Sequence, residues 1–348
     1  MGAQNRRRME HLQRISIGRR RYIGCKAKLA EWIMQTIEAE TYNTESFCDI
    51  FAGTAIISDF AINRYKKIII NDFLYSNNII YRAFYKVGEV DLPKLLEIVS
   101  DYNCVNANTI DDNYFSINFG NKYFDYQTAK QIGFIRQDIE NRKCNLSEKE
   151  YCILLASLIY SIDRIANTLG HYESYIKKEI QSKQLIISLV DFKQIESVEI
   201  HQKDSNQLAR SISADVVYID PPYNSRQYSR FYHLYETLVK WDKPVLKGTA
   251  MKPAEENMSE YCSSRAPKAF EDLISNLKAR YIAVSYNNTY HSKSSSSKNK
   301  ITLEQINNIL SKRGETKVFE HKHQFFNAGK TDFENHKELL FITKVNEK

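Results

Sequence analysis

Glycine and proline are scarce in this chain, and the features that mark several protein classes are missing. The 348 residues include 11 Gly and 6 Pro, which excludes collagen-like repeats and Pro/Gly-rich disordered chains. No run of 18 apolar residues occurs, and no apolar stretch follows the basic residues near the start. We therefore expect neither a membrane-spanning helix nor an export signal.

The cysteines are also few and scattered. Six of them occur without any C-x-x-C pair, and no cluster of histidines completes a metal-binding set. We expect reduced, mostly buried thiols in a cytoplasmic protein, and no bound metal. The G-x-G-x-x-G spacing of a dinucleotide-binding turn is missing as well, which counts against a cofactor with a pyrophosphate.

Positive charge is concentrated at the start of the chain. The formal net charge is +7, and residues 1–28 contain nine basic residues against one acid, Glu10. Such density favours a polyanionic partner. For residues 1–14 a solvated leader explains the charge as well as a phosphate-contacting arm does. Residues 19–28 run directly into ordered-looking sequence, which favours contact.

Alternating strand and helix patterns predict the fold. The segments "SFCDIFAGTAIISDFAI" and "KKIIINDFLYSNNIIYRAF" each combine an apolar strand, a turn and a helical pattern. Two such units in succession indicate a doubly wound α/β sheet with parallel strands. The rhythm breaks near residue 90 and resumes near residue 196, which predicts an insertion between the second and third strands. Near the end, "ETKVFEHKHQFF" and "KELLFITKV" predict an antiparallel pair.

Acidic residues follow three of the predicted strands, namely Asp72, Asp204 and Asp220. In an open parallel sheet, ligands bind outside the carboxyl ends of the strands. An acid at Asp72 suits the hydroxyls of a ribose, but a helix N-cap explains it equally well, and Asp204 has the same ambiguity. The turn "FAGTA" after the first strand lets the backbone approach a ligand, as a plain strand-to-helix turn would also do.

The segment "DPPY", residues 220–223, is the most specific signal. Pro221 and Pro222 have fixed φ angles and no N–H groups, so the strand must end there. Asp220 and Tyr223 are then held in a preset geometry, with a carboxylate, a backbone carbonyl and an aromatic face close together. A planar base could stack on the ring while its amino group donates to the two acceptors, which makes that nitrogen nucleophilic.

The sequence resembles the Dam-like alpha group of adenine-specific DNA methyltransferases, and more closely the branch found in type IIS restriction-modification systems. The stretches "RRYIGCKAKLAEWI", "DIFAGTAIISDFA", "ANTLGHYESYIKK" and "DPPYNSRQYSRFYHLYET" occur in the order of that family. The resemblance implies a Rossmann-like S-adenosylmethionine-dependent methyltransferase fold with a mainly helical insertion domain. We expect a basic arm at 1–18, a catalytic S-adenosylmethionine-binding domain at 19–90 and 196–348, and an inserted target-recognition domain at 91–195.

The resemblance also implies roles for individual residues. The catalytic set is Asp220, Pro221, Pro222 and Tyr223. The cofactor-binding set is Tyr22, Lys26, Asp49, Phe51, Ala52, Gly53, Thr54, Asp72, Asp204, Ser205 and Asp220. Within it, Lys26 is expected to meet the cofactor carboxylate. Ala55 stands where the family usually has Gly, and Ala at a position that needs positive φ would strain the turn.

Contacts with nucleic acid are expected from polar and basic residues on both sides of the catalytic segment. They are Arg19, Arg20, Arg21, Asn224, Arg226, Tyr228, Arg230 and Lys293. Contacts with phosphates would make binding sensitive to salt. A solvated linker explains the Ser-rich loop around Lys293 better than a phosphate contact does. Base recognition is expected from the 91–195 insertion, whose Asn and Tyr content also suits a polar, partly buried subdomain.

The implied reaction is direct methyl transfer from S-adenosylmethionine to N6 of an adenine flipped out of duplex DNA. It needs no metal and no covalent enzyme intermediate. The expected partners are double-stranded DNA and a cognate restriction endonuclease that acts independently, in a bacterial cytoplasm. Three alternatives stay open: methylation of the cytosine amino group, an RNA adenine substrate, and a nucleic-acid-binding protein that has lost catalysis.

Overall fold

A mixed sheet carries the predicted strands in the computed structural model, which describes residues 14–288, 298–322 and 337–346. Within these residues seven strands pair in the order β3-β2-β1-β4-β5-β7-β6. They are β1 Ser46–Asp49, β2 Lys67–Asn71, β3 Val198–His201, β4 Ser213–Ile219, β5 Lys278–Asn287, β6 Gly314–Lys322 and β7 Lys337–Val345. Strands β1 to β5 run parallel, whereas β7 is antiparallel to β5 and β6. The doubly wound sheet and its terminal antiparallel pair are confirmed.

Helices connect the parallel strands and fill the insertion. In the described ranges they are α1 Ala30–Glu40, α2 Ile56–Ala61, α3 Tyr75–Tyr85, α4 Leu92–Cys104, α5 Tyr114–Phe119, α6 Tyr126–Asn141, α7 Glu148–Ile165, α8 Ser205–Ala209, α9 Tyr228–Phe231, α10 His233–Lys240, α11 Ala266–Asn276 and α12 Leu303–Ser311. Short 3-10 turns occur at Ile17–Arg19, Ala107–Thr109, Lys143–Asn145 and Glu260–Cys262. The predicted insertion between the second and third strands is therefore mainly helical.

The described residues divide into two compact units. The sheet unit comprises Lys26–Leu74, Ser197–Ser229 and the described part of Glu256–Lys348, and it contains all seven strands. The helical unit comprises residues 14–25, Tyr75–Glu196 and Arg230–Glu255. It thus includes the whole 91–195 insertion together with chain from either side of it.

The sheet unit is held together by apolar strands. Ile68, Ile69 and Ile70 of β2 are all buried, as expected for a strand covered on both faces. One core cluster joins the sheet to α8, α11 and α12, with Phe270 and Leu310 fully buried within it. This packing fixes the carboxyl ends of the parallel strands, where the predicted site residues lie.

The helical unit is organised around α7, the strongly apolar helix that the sequence predicts. A capping box between Ser147 and Glu150 starts this helix. Arg136 of α6 has no exposed surface, and its guanidinium donates to the carbonyls of Leu238 and Val239 at 2.6 and 3.2 Å. It therefore satisfies carbonyls at the C-terminal end of α10, which have no partner within that helix.

Three further expectations concern absent features. No helix in the described part of the chain is long and apolar enough to cross a membrane. Over the same ranges, no group of three or more His, Cys, Asp or Glu side chains could hold a metal ion. Among the cysteines, Cys104 and Cys144 are exposed and Cys25 is half-buried, so the expectation of mostly buried thiols is only partly right.

Candidate active site

The carboxyl ends of the parallel strands bring the predicted residues to one edge of the sheet unit. Strand β1 ends at Asp49, and its register places this residue beside Ile70 of β2 and Tyr218 of β4. Asp72 and Asp220 follow β2 and β4 directly. Because β7 runs antiparallel, its first residues also lie at this edge, where Glu338 pairs with Asn287.

The turn after β1 is held by the residues that follow β2. The N–H of Ala52 donates to the carbonyl of Asn71 at 2.9 Å, and the N–H of Gly53 donates to the Asp72 carboxylate at 3.0 Å. The other Asp72 oxygen accepts the N–H of Leu74 at 2.9 Å. Asp72 thus serves its own turn and also fixes the small-residue turn of the predicted cofactor set.

Ala55 adopts the positive φ that the sequence predicts for this position. Its φ is 56° and its ψ is 23°, directly before α2. A left-handed conformation costs a residue with a Cβ about 1–2 kcal/mol. The side chain is fully buried, which returns roughly 0.8 kcal/mol for the methyl group. Alanine in place of glycine is therefore accommodated here at a small net cost.

Asp49 is a buried carboxylate that is only partly satisfied. One of its oxygens accepts the hydroxyl of Ser58 at 2.7 Å, and the other has no hydrogen-bond partner among the residues that the structure describes. Burial raises the pKa of Asp49 to about 7, with the charges of Asp220 and Asp72 adding to the increase. An unpaired buried oxygen suits a ligand that donates hydrogen bonds or carries positive charge.

Asp204 and Ser205 are engaged in local structure. The Asp204 carboxylate caps α8 by accepting the N–H of Gln207 at 3.0 Å, so the N-cap alternative describes its contact. Ser205 is buried and donates to the carbonyl of Ile50 at 3.0 Å. Asn71, which the predicted cofactor set omits, donates to the same carbonyl at 3.0 Å. These contacts tie β3 and β2 to the end of β1.

The structure brings Asp220 and Tyr223 together at the end of β4. The phenol hydroxyl of Tyr223 donates to the Asp220 carboxylate, and the ammonium of Lys26 donates to the same phenol oxygen. The ring of Tyr223 meets that of Tyr286 edge to face, with centroids 4.8 Å apart. The stiff Pro-Pro segment therefore folds the ring back onto the carboxylate.

Lys26 joins this edge to an acid that the predicted set omits. Its ammonium lies 2.7 Å from a Glu338 oxygen and 3.3 Å from an Asp220 oxygen, besides its contact with Tyr223. An ammonium has three hydrogens, and three partners surround this one. The structure therefore places Lys26 among Asp220, Tyr223 and Glu338, and its contact with a cofactor carboxylate stays a prediction.

Burial and neighbouring charges shift the pKa values of the groups on this edge. Burial raises the pKa of Asp220 to about 6; Lys26 opposes this increase and Glu338 adds to it. Burial lowers the pKa of Lys26, but Asp220 and Glu338 outweigh it, so the net direction is upward. Burial also raises the pKa of Tyr223 well above its usual value. Lys26 is thus charged and Tyr223 is protonated at neutral pH, whereas the pKa of Asp220 lies below neutral pH.

Glu338 could have been found from one signal in the sequence. It is a charged residue directly before the apolar run "LLFI" in a strand predicted to be antiparallel. An antiparallel strand begins at the edge where its parallel neighbours end, so its first residues reach the ligand edge. Only the strand order, with β7 beside β5, shows that this position faces Asp220 and Lys26.

Several residues predicted to contact nucleic acid are engaged inside the helical unit. Arg20 is 4% exposed and donates to Asn77 at 2.6 Å. Its guanidinium lies over the ring of Tyr22, which in turn stacks on Tyr232. Arg21 donates to the carbonyls of three residues: Asp163, Ala166 and Thr168. These contacts give Arg20, Arg21 and Tyr22 a structural role within their unit.

The other predicted contact residues differ in exposure. Arg19 and Arg226 are exposed. Asn224 and Tyr228 are half-buried, and Arg230 donates to the carbonyl of Pro253 at 2.8 Å. Lys293 and residues 1–13 of the predicted basic arm lie outside the described residues.

A match to a known family accompanies this geometry. Residues 22–294 match the family of D12 class N6 adenine-specific DNA methyltransferases. The chain belongs to this family. The expected methyltransferase fold and adenine-specific DNA methyltransferase activity are thereby confirmed at the level of the family. This membership favours N6 of adenine in DNA over the cytosine and RNA alternatives.

Curated relatives of this methyltransferase are modification enzymes. It is 30% identical to the Type II methyltransferase M.NlaIII of Neisseria lactamica, over 91% of this chain and 95% of the relative. It is 31% identical to the Modification methylase LlaI of Lactococcus lactis subsp. lactis, over 77% of this chain and 46% of the relative. It is 30% identical to the Type II methyltransferase M.FokI of Planomicrobium okeanokoites, over 84% of this chain and 47% of the relative. The chain thus spans nearly all of the first relative and less than half the length of the other two.

Proposed function

We propose that this methyltransferase transfers a methyl group from S-adenosyl-L-methionine to N6 of an adenine in duplex DNA, at the edge formed by Asp220 and Tyr223. The observation that carries the proposal is the contact between this carboxylate and this ring at the end of β4. The same edge of the sheet unit holds Asp49 and the turn fixed by Asp72. A base site and a donor site would then be adjacent.

The residues at the end of β1 fit the proposed cofactor. When bound, S-adenosylmethionine supplies a sulfonium methyl group that a nitrogen nucleophile can take. The unpaired oxygen of Asp49 would accept from the cationic amino group, and the turn around Gly53 would lie against the methionine part. Asp72 would accept from the ribose after exchanging one of its backbone contacts. Phe51, Ala52 and Thr54 complete the proposed lining.

The roles of Asp220 and Tyr223 follow from their chemistry. The carboxylate would accept a hydrogen bond from the adenine amino group and stabilise the positive charge that develops on the nitrogen. Transfer would break the sulfonium S–CH3 bond and leave the thioether S-adenosylhomocysteine, and the strongly acidic methylated ammonium would then give its proton to Asp220 or to water. Flipping the base costs a few kcal/mol of stacking. Stacking on the Tyr223 ring returns about 1–3 kcal/mol. Pro221 and Pro222 would keep the acid and ring in register during this exchange.

The proposed partners are duplex DNA and a cognate restriction endonuclease that acts independently, in a bacterial cytoplasm. Relatives that carry the name modification methylase support this setting. Exposed Arg19 and Arg226 are the proposed phosphate contacts, with Asn224, Tyr228 and Arg230 near the second of them in sequence. Binding should weaken steeply as salt increases. The 91–195 insertion is the proposed target-recognition region.

Incubation of the purified chain with unmethylated genomic DNA and S-adenosylmethionine tests the proposal. Nucleoside mass spectrometry should detect N6-methyladenine, and modification-aware sequencing should place it at one recurring sequence. RNA of matched composition and DNA without the methyl donor are the controls. Formation of N4-methylcytosine, methylation of the RNA alone, or DNA binding without any transfer would each contradict the proposal.

The raised pKa of Asp49 predicts a pH-dependent affinity for the cofactor. Because only the ionised carboxylate attracts a cationic amino group, we expect S-adenosylmethionine to bind about fivefold more weakly at about pH 6 than at about pH 7, near this pKa. Isothermal titration calorimetry across this range measures the effect. D49N should bind weakly with a flat pH dependence, whereas D112N, at an exposed position, should follow the wild type. A flat wild-type profile would remove Asp49 from the site.

A further inference from the structure

Glu338 is a buried acid that the proposed reaction does not yet use. It is 3% exposed at the start of β7. A single carboxylate oxygen lies 2.7 Å from the ammonium of Lys26, accepts the hydroxyl of Ser285 at 2.6 Å, and lies 3.4 Å from the phenol oxygen of Tyr223. All of these groups belong to the sheet unit. Glu338 therefore touches the residues that hold Asp220.

A plain structural ion pair would not need this arrangement. Burying a carboxylate is costly unless it is paired, so Glu338 requires the charge of Lys26. The same ammonium also reaches Asp220 at 3.3 Å and the hydroxyl of Tyr223. One positive charge therefore serves two largely buried carboxylates, which repel each other. Groups whose pKa is shifted by burial and by a charged neighbour cluster at functional sites, and Asp220 is such a group.

We propose that Glu338 is a positioning residue for the methyl transfer. It fixes the Lys26 ammonium beside Asp220 and Tyr223, and so holds the carboxylate and the ring in the arrangement that receives the adenine. This inference rests on the proposed function of that edge. Ser285 orients Glu338 from β5, and the antiparallel entry of β7 brings Glu338 to the edge.

The charged and titratable groups around Asp220 determine how its pKa should respond when the charge of Glu338 is removed. Lys26 faces Asp220 from the segment before α1, Glu338 from β7, and Tyr223 from the following turn. Tyr218 and Asp49, at the ends of β4 and β1, also act on this group of charges. Of these, Lys26 and the hydrogen bond from Tyr223 lower the pKa of Asp220, and Glu338 raises it. The amide oxygen of Gln in E338Q can still accept from Lys26, so this variant removes mainly the repelling charge; the pKa of Asp220 should fall, and more of it should be ionised in mild acid.

The test compares E338Q with the wild type at saturating S-adenosylmethionine. We expect kcat at neutral pH to fall about 100-fold, because a small displacement of the reacting groups is enough for such a loss. The acid limb of the pH profile of kcat/KM for DNA should move to lower pH. A variant that is only less stable in acid would move this limb to higher pH. Cofactor affinity should stay within about threefold, since the cofactor residues lie on other strands.

Two further variants keep the test decisive. E320Q makes the same change one strand away, at an exposed side chain paired with Lys337, and should match the wild type within about twofold. E338D keeps the charge but shortens the reach to Lys26, so its kcat should fall while its acid limb stays at the wild-type pH. E338D also carries the test if E338Q does not fold.

The possible outcomes separate the two proposals. Wild-type kcat in E338Q would overturn the positioning role. So would a lower kcat with an unmoved acid limb and a lower melting temperature, since that pattern is one of stability alone. If the wild-type chain itself transfers no methyl group to DNA adenine, the proposed function fails, and the variants are not needed to see it.

Discussion

We expect the replacement of Asp220 with alanine to lower kcat for DNA methylation by at least about 1000-fold while the protein stays folded. This carboxylate is the acceptor that the proposed chemistry places next to the reacting nitrogen, and losing one such group typically costs two to three powers of ten or more. Folding should survive, because Lys26 keeps Glu338 as its partner at 2.7 Å. Single-turnover methylation with labelled cofactor measures the loss.

Cofactor binding provides the second readout for this variant. The affinity of D220A for S-adenosylmethionine should stay within about threefold of the wild type, because the cofactor is proposed to lie on Asp49 and Asp72. D101A removes an exposed aspartate from α4 in the helical unit and is the matched control, with wild-type kcat expected. Retention of more than a tenth of the wild-type rate in D220A would exclude Asp220 as the catalytic acceptor.

Replacing Lys26 with methionine should have the next largest effect, because the change leaves Asp220 and Glu338 facing each other without a cation. Removing one partner of a buried charge set typically destabilises a protein by about 3–5 kcal/mol. We also expect kcat to fall by at least about tenfold. Since Lys26 lowers the pKa of Asp220, its loss must raise that pKa and move the acid limb of the activity to higher pH.

The raised pKa of Asp220 in K26M also determines how the stability of this variant should change with pH. A carboxyl whose folded-state pKa is raised contributes stability at low pH and loses it as pH increases through that pKa. The free energy of unfolding of K26M should therefore approach that of the wild type in acid and fall below it toward neutral pH. Chemical denaturation at several pH values measures this difference.

A neighbouring lysine provides the control for K26M. Lys28 is exposed two residues further along, so K28M should leave stability and kcat unchanged. The affinity of K26M for S-adenosylmethionine decides between two roles for Lys26. We expect a change of less than about threefold, because the ammonium is occupied by Glu338, Tyr223 and Asp220. A loss of tenfold or more would instead support the contact between Lys26 and the cofactor carboxylate that the resemblance implies.

Local patterns predicted much of the sheet and of its ligand edge. Apolar runs such as Ile68 to Ile70 give the strands, and the residue after each run must lie at the edge where parallel strands end. The Pro-Pro segment predicted that Asp220 and Tyr223 would be neighbours, and the positive φ of Ala55 was expected from its turn. These features depend on a few adjacent residues, so the sequence displays them directly.

Long-range contacts were beyond such patterns. Lys26 and Glu338 are 312 positions apart, and only the strand order brings them together. Arg20 and Arg21 lie in a basic cluster that suggests phosphate contact, yet their guanidinium groups bond to Asn77 and to carbonyls of the helical unit. Charge density along a chain does not tell which side chains are exposed.

The extent of the helical unit shows the same limit. The carboxylate of Glu236 accepts the N–H groups of Tyr75 and Ser76 at 3.0 and 2.9 Å, at the start of α3. Tyr75 and Ser76 precede the predicted insertion and Glu236 follows it, yet all three belong to the helical unit. The break in the strand and helix rhythm near residue 90 gives no sign of it, because both partners sit in stretches that continue the sheet pattern.

The hydrogen bond from the Tyr223 phenol to Asp220 has a consequence for base selection. On the proposed function, a base that takes the place of that hydroxyl would have to donate a hydrogen to the carboxylate. Adenine and cytosine carry amino groups at the corresponding position, whereas guanine and thymine carry carbonyl oxygens that the carboxylate repels. On the proposed function, the phenol would therefore compete with guanine and thymine for the carboxylate, and the shape of the surrounding pocket would decide between adenine and cytosine.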